Sequence, residues 1–387
     1  MSFPKLKNSS EKEMGLQLIS YIAPGAPATR KEARGDELFL RPEIGFTPNW
    51  YHMRLGIDFG RRWHCDPSYR LETRVQMAKE LKKTFPGIPI GLLDDTEVPD
   101  VLTGAFGVLL IPAIYGAPLQ FYANGWPDCK PILASVQDVL RLEPPDLQSN
   151  AFFCEFMEQL EWINRKVGVV KGFIVGQGVL NNAFRLRGEK IFRDVIKDPN
   201  AAQHLFECIA TTIIEVAKTV HDFQAKTGFN VRFFTISNCL VNMVSPQTYR
   251  DLLFPYDFKI SECFAAIGIH NCAWNATPYL SFYSTIPNVG YIDMGIESDL
   301  DRARQLFPKA RRAVMYRPTD IYSKSLSELK KEFEEIARRL GPCDLVLADL
   351  DLNVPDKKIK EIYQLCMEIS ERYENSTQWI QNGGLGR

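Results

Sequence analysis

The sequence carries no excess of either charge: 46 lysines and arginines stand against 47 aspartates and glutamates. A chain without a net field is not drawn to nucleic acid or to an anionic membrane, so neither is expected as a partner. No apolar run approaches the roughly 20 residues needed to cross a bilayer. The opening stretch, MSFPKLKNSSEKEMG, lacks the apolar core of a signal peptide. A cytoplasmic protein is the expectation. Nine cysteines, at 65, 129, 154, 208, 239, 263, 272, 343 and 366, show no paired spacing. That excludes the disulfide frame of a small secreted domain and predicts reduced thiols. Internal repeats, linkers and low-complexity tracts are also missing, so nothing splits the 387 residues into several domains. Residues 1–35 mix charge, proline and glycine without periodicity and read as an N-terminal extension to a single domain over 36–387.

What the domain does contain is alternation. Short apolar runs, IPIGLL, FGVLLIPAIYG, GFIVG, VRFFTIS, IGIHNC, VGYIDMG, RRAVMYR and DLVLADLD, are separated by helical patterns at 151–166, 199–226, 246–266, 298–306, 325–340 and 356–374. Two of the helices open on Asp198-Pro199 and Ser245-Pro246. There an oxygen-bearing cap precedes a residue with no amide hydrogen to satisfy. Eight strands with helical returns predict an α/β fold, a single (β/α)8 TIM barrel.

Active sites of such barrels sit where the strands end. The runs finish in Asp94-Asp95, Gly176-Gln177, Ser237-Asn238, His270-Asn271-Cys272, Asp293, Tyr316-Arg317 and Asp349-Leu350-Asp351. Gln177, Asn238, Asp293 and Arg317 are therefore candidate substrate-binding residues around one cavity. On an extended strand His270 and Cys272 project to the same side, because side chains repeat every two residues. An imidazole nitrogen and a thiolate so placed suit zinc; the bland alternative is a buried cysteine beside a carbonyl-bonded histidine.

Other constellations have plainer readings. His204 and Cys208 lie one helical turn apart beside an apolar stripe, which favours core packing over chelation. RRWHC places Arg61 in a loop entering the barrel, as a clamp for an anionic substrate group or as solvated charge. GQG lacks the full glycine fingerprint of a dinucleotide fold. SKSLSELKKEFEEIARRL reads as a solvated outer helix.

Longer stretches carry a resemblance. VSPQTYRDLLFPYDFKI leads into the H-N-C strand, LLDDTEVP contains Asp95, and WYHMR contains Arg54. Over roughly 45–375 the chain resembles the uroporphyrinogen decarboxylase superfamily, which also holds zinc-dependent methylcobamide methyltransferases. The resemblance implies a barrel, with Asp95 and Arg54 in catalytic roles orienting the substrate. The decarboxylases use no metal; the methyltransferases hold zinc with His-x-Cys and a later Cys. H-N-C follows the second branch, and Phe184 stands where the decarboxylases have a tyrosine.

The later cysteine is expected just after the last strand, where this chain has LADLDLNVPDKKI. Asp351 is taken as the third ligand beside His270 and Cys272, with Asp349 and Cys343 as alternatives. The implied activity is zinc-dependent methyl transfer between a corrinoid (cobalamin-type) protein and a thiol or pterin acceptor. A metal-free lyase acting on a carboxylated tetrapyrrole, or a non-catalytic corrin-binding accessory protein, are the alternatives. The extension and the family point to a homodimer or a larger complex.

Overall fold

A computed structural model describes residues 38–88, 90, 99–174 and 176–381. The expected N-terminal extension and most of the IPIGLL run, with Asp94 and Asp95, lie outside the described residues.

The strands are β1 (Leu40–Phe46), β2 (Leu119–Gln120), β3 (Asp128–Cys129), β4 (Phe233–Ser237), β5 (Ala266–His270), β6 (Val289–Met294), β7 (Arg311–Met315) and β8 (Cys343–Leu350). Six form one sheet in the order β1-β8-β7-β6-β5-β4, every pair parallel, while β2 and β3 make a small antiparallel hairpin. The first strand pairs with the last, as closure into a barrel requires. Beyond β4 the ladder continues into the GFIVG region: Gln177 bridges Ser237, the Ser237 amide donates to the Gly176 carbonyl at 3.0 Å, and the Gly178 amide donates to Ser237 at 2.9 Å. This contact explains GQG. A Cβ on Gly176 would lie 2.0 Å from the Thr235 carbonyl oxygen, and one on Gly178 would lie 2.5 Å from Asn238 Oδ1. The glycines let two backbones approach.

One expected strand is corrected and one unexpected strand appears. FGVLLIPAIYG is a turn followed by a helix, Leu110–Ile114, not a strand. Most of the run is buried, so its apolar residues carry no period to distinguish strand from helix. Conversely β1, LRPEIGF, has no apolar run to reveal it. Its Arg41 and Glu43 face inward and are satisfied by charges on other strands: Arg41 pairs with Asp344, and Arg311 meets Asp344 at 2.6 Å and Glu43 at 3.0 Å. This buried charge network lies towards the N-terminal ends of β7 and β8.

Above it, period-two alternation places Phe233, Ala266, Tyr291, Ala313, Met315, Val346 and Ala348 in one interior cluster. The same alternation carries His270 and Asp293 to the C-terminal end of the interior.

Among the helices, Pro199–Lys226 and Ala151–Val167 follow the sequence patterns closely. Leu326–Leu340 opens on a Ser325/Glu328 capping box and buries Leu329, Phe333, Ile336 and Leu340 with its charges outward. The pattern at 246–266 is not one helix. It begins with a short turn, widens to a π-helix over Tyr249–Leu253 and resumes as Phe254–Ser261. Pro255 has no amide hydrogen for the usual ladder, and the Phe254 amide reaches back five residues to the Tyr249 carbonyl. No described helix is long and apolar enough to cross a membrane.

Candidate metal centre

β4 and β5 pair in register with Ser237 opposite His270. Each strand leaves the sheet through the same two residue types, Asn238-Cys239 and Asn271-Cys272. The two asparagines bracket the turns. The Asn238 amide donates to the His270 carbonyl at 2.6 Å, and its side-chain Nδ2 donates to buried Asp257 at 2.7 Å. Asn271 donates from its amide to Asp293 Oδ1 at 2.7 Å and from Nδ2 to the Asp293 carbonyl at 2.8 Å.

Cys239, His270 and Cys272 thus converge, with one donor atom from each all within 4.8 Å of one another, the one such group of three or more among the described residues. Cys272 Sγ lies 3.0 Å from His270 Nε2. The route differs from the one the sequence suggested. β5 stops at His270, and Cys272 takes a left-handed φ of 55° beyond the strand, so a turn and not strand alternation brings the two together.

His270 presents Nε2 because Nδ1 is held by Asp293 Oδ2 at 2.6 Å. Asp293 is fully buried and also accepts from the Tyr291 hydroxyl at 3.0 Å. A carboxylate behind a metal-binding histidine fixes the tautomer and the ring orientation. Burial alone would lower the His270 pKa, but Asp293 and the Cys239 sulfur raise it to about 10. Within the cysteine pair, the hydrogen bond from Cys272 holds Cys239 well below the usual thiol range despite burial, and the same bond raises Cys272. The two sulfurs thus share a proton beside an imidazole that Asp293 biases towards its charged form. A divalent ion entering the site would displace protons from these donors.

Asp349 lies close enough to raise the Cys272 pKa; its own is lifted by burial, against the pull of His270, to about 6. The charges that act most strongly on these four groups are those of one another and of Asp293.

The remaining candidates fall elsewhere. Asp351, the expected third ligand, is not in the group: Asn49 Nδ2 donates to its two oxygens at 3.0 and 3.3 Å, and Cys239 occupies the third corner. Cys343 begins β8, at the opposite end of the strand from Asp349, and burial pushes its thiol to about 12. Asn238 is buried and turned to Asp257, whereas Gln177 accepts from Asn181 at 2.7 Å on the side of Cys239. Asp293 reaches His270 rather than open space.

Arg54 stacks on Trp50 at 4.0 Å and pairs with Asp356 at 2.6 Å. Arg317 pairs with Glu297 at the surface. Arg61 and Cys65 line a cavity of about 550 Å³ with Phe121, Trp162 and Arg165, which none of the three converging residues lines. Asp95 lies outside the described residues. His204 and Cys208 both point at the Leu142 carbonyl, at 2.8 and 3.4 Å, as core packing would have it. The residue sequence reasoning missed is Cys239; the repeated Asn-Cys at two adjacent strand exits was the signal for it.

Three protein ligands of type Cys2His with a supporting carboxylate match the donor set of a catalytic zinc site, in which a fourth position stays open. Asp293→Asn keeps the shape but loses the carboxylate behind His270. Zinc affinity is expected to fall about 10- to 100-fold, measured by competition with a chromophoric chelator, with the far-UV spectrum unchanged.

An α/β barrel with a candidate metal centre at the C-terminal mouth defines the class of protein. The uroporphyrinogen decarboxylase family model matches residues 93–343, and the chain belongs to that family. Among solved structures it is similar to a methyltransferase from Methanosarcina mazei, with 14% identity, a TM-score of 0.60, and coverage of 86% of this chain and 94% of that one. A candidate vitamin-B12 independent methionine synthase from Listeria monocytogenes matches at 12% identity and a TM-score of 0.36, over 56% of this chain and 69% of that one. Comparison with functionally curated proteins gives no match.

Proposed function

We propose that the protein is a zinc-dependent methyltransferase that moves a methyl group between a corrinoid protein and a thiol or pterin acceptor, in the cytoplasm, as one barrel domain with an N-terminal extension. The observation that carries the reading is the convergence of Cys239, His270 and Cys272 with Asp293 behind the imidazole. Those three residues would hold the metal. When bound, zinc supplies Lewis acidity that keeps an acceptor thiol deprotonated at neutral pH. The chain's own part is to fix three donors on adjacent strand exits, which would leave the fourth position of a zinc site to the acceptor. Two thiolates and a neutral imidazole cancel the charge of a divalent ion, which leaves the acceptor sulfur electron-rich. With a thiol acceptor the corrinoid would supply the methyl group, its bonding electron pair staying with the corrinoid while the thiol gives up its proton to form the sulfur–carbon bond.

Decarboxylation of a carboxylated tetrapyrrole needs cations facing its acid groups. Arg54 and Arg317 are engaged by carboxylates, and Arg61 lines a cavity that none of Cys239, His270 and Cys272 lines, so the cations expected for that chemistry do not gather at the metal group.

Metal analysis of the purified protein, followed by mixing with a methylated corrinoid protein and thiols, tests the proposal. The expected results are about one zinc per chain, by the three-ligand site, and a thiol-dependent shift of the corrinoid spectrum. Protein that stays metal-free in zinc-containing buffer would sink the proposal. Zinc without any spectral change would reduce the protein to an accessory role.

A further inference from the structure

β8 does not run regularly to its end. Ile44 pairs with Leu347 and Phe46 with Leu350, so two residues of β8, Ala348 and Asp349, stand against the single residue Gly45. The extra residue of this bulge is Asp349, whose φ is +56°. Bulges next to active sites re-aim a side chain, and a non-glycine residue in the left-handed region is held there by its surroundings. Along β8 the interior positions are Asp344, Val346 and Ala348. Regular alternation would send residue 349 out of the barrel. The bulge turns it instead towards Cys272 and His270, with both of which it interacts.

Its carboxylate has no hydrogen-bond or ion-pair partner among the described residues, unlike Asp293, Asp344 and Asp351, which are all engaged. It is not one of the donors lying within 4.8 Å of one another. It therefore stands off the ligand triangle. Among the described residues the charge that acts on it is that of His270.

We infer that Asp349 is a specificity-determining residue that receives a cationic group of the acceptor, so that the acceptor is an amino-thiol and not a thiol bearing a sulfonate or carboxylate alone. This rests on the methyl-transfer reading. With the acceptor sulfur as a fourth ligand of the Cys239–His270–Cys272 group, the Asp349 carboxylate beside Cys272 and His270 would face the substituent next to that sulfur. An ammonium there gains a charge-assisted bond to a partly buried oxygen that no other group among the described residues occupies. An anionic substituent meets a carboxylate.

The test uses three thiols of one length, 2-aminoethanethiol, 2-mercaptoethanol and 2-mercaptoethanesulfonate, titrated calorimetrically into the zinc-loaded full chain at pH 8. The aminothiol is expected to bind about 10- to 100-fold more tightly than the neutral thiol, the range for a hydrogen bond to a charged group, and the sulfonate more weakly than either. Asp349→Asn keeps the left-handed backbone comfortable, since asparagine tolerates it. That variant should retain the zinc stoichiometry and the affinity for 2-mercaptoethanol while losing the preference for the ammonium. Asp349→Glu should restore part of it. Equal binding of the three thiols, tightest binding of the sulfonate, or a preference that survives in Asp349→Asn would overturn this inference alone. Failure of the wild-type chain to take up zinc would overturn the methyl-transfer reading, and this one with it.

Discussion

Cys239→Ser is expected to purify with little or no zinc, whereas Asp351→Asn keeps the wild-type content. A fully protein-ligated zinc is held by roughly 10–16 kcal/mol shared over four ligands. One ligand's share is then about 2.5–4 kcal/mol, or roughly a 10²- to 10³-fold loss of affinity at about 1.4 kcal/mol per tenfold. Serine retains the size of cysteine but offers a hydroxyl that does not ionise at neutral pH. The turn after β4 is set by Asn238 through the His270 carbonyl and Asp257, so the variant should fold. Inductively coupled plasma measurement on wild type and both variants, with thermal melts to confirm folding, gives the answer. Retention of metal by Cys239→Ser, or its loss from Asp351→Asn, would return the third ligand to the end of β8.

Arg311→Met should produce the largest loss of stability. Arg311 is buried and joins Asp344 through two nitrogens, at 2.6 and 3.1 Å, and Glu43 at 3.0 Å. These bonds tie β7 to β8 and β1 across the barrel floor. Removing the guanidinium leaves two buried carboxylates sharing Arg41's side of the network. Breaking a buried pair from one side costs about 3–5 kcal/mol, because the remaining charge stays in a poor solvent. Urea denaturation should show the midpoint falling with an unchanged slope. Metal content should stay at the wild-type level, since the network lies at the opposite end of the strands from His270. A triple change, Arg311→Met with Glu43→Leu and Asp344→Leu, is expected to recover part of the loss by removing the stranded carboxylates.

The two results would separate what positions the site from what holds the barrel. The floor is a charge network on the N-terminal ends of the strands, and the candidate centre lies on the C-terminal exits. His270 and Asp293 belong to the same interior alternation as the residues between. The lattice of β-strands therefore connects the two ends without either sharing a side chain with the other.

How far the sequence led can be judged from particular elements. The runs VRFFTIS, IGIHNC, VGYIDMG, RRAVMYR and DLVLADLD all hold strands of the sheet, because β-branched and aromatic residues there are buried on both faces. LRPEIGF was illegible as a strand since its interior residues are charged, and charges enter a barrel only when partners from distant strands meet them. FGVLLIPAIYG was misread for the opposite reason: burial on every side erases periodicity. At the site, His270 and Cys272 could be picked out by their spacing. Asp293 was picked out as a strand end, but its place behind the imidazole came only from the β5–β6 neighbourhood.

By itself the sequence determined the alternation of strands and helices, the family, and a histidine and cysteine at one strand exit, because these are local patterns of residue type. Only the tertiary structure decided that Cys239 stands at the third corner in place of Asp351, and that Asp349 leaves the strand's alternation to face them. Both depend on register: Ser237 opposite His270 brings two Asn-Cys exits side by side, and one unpaired residue against Gly45 rotates a carboxylate inward. Register is a relation between strands far apart in the chain, fixed by packing of whole faces, and no single stretch of residues encodes it.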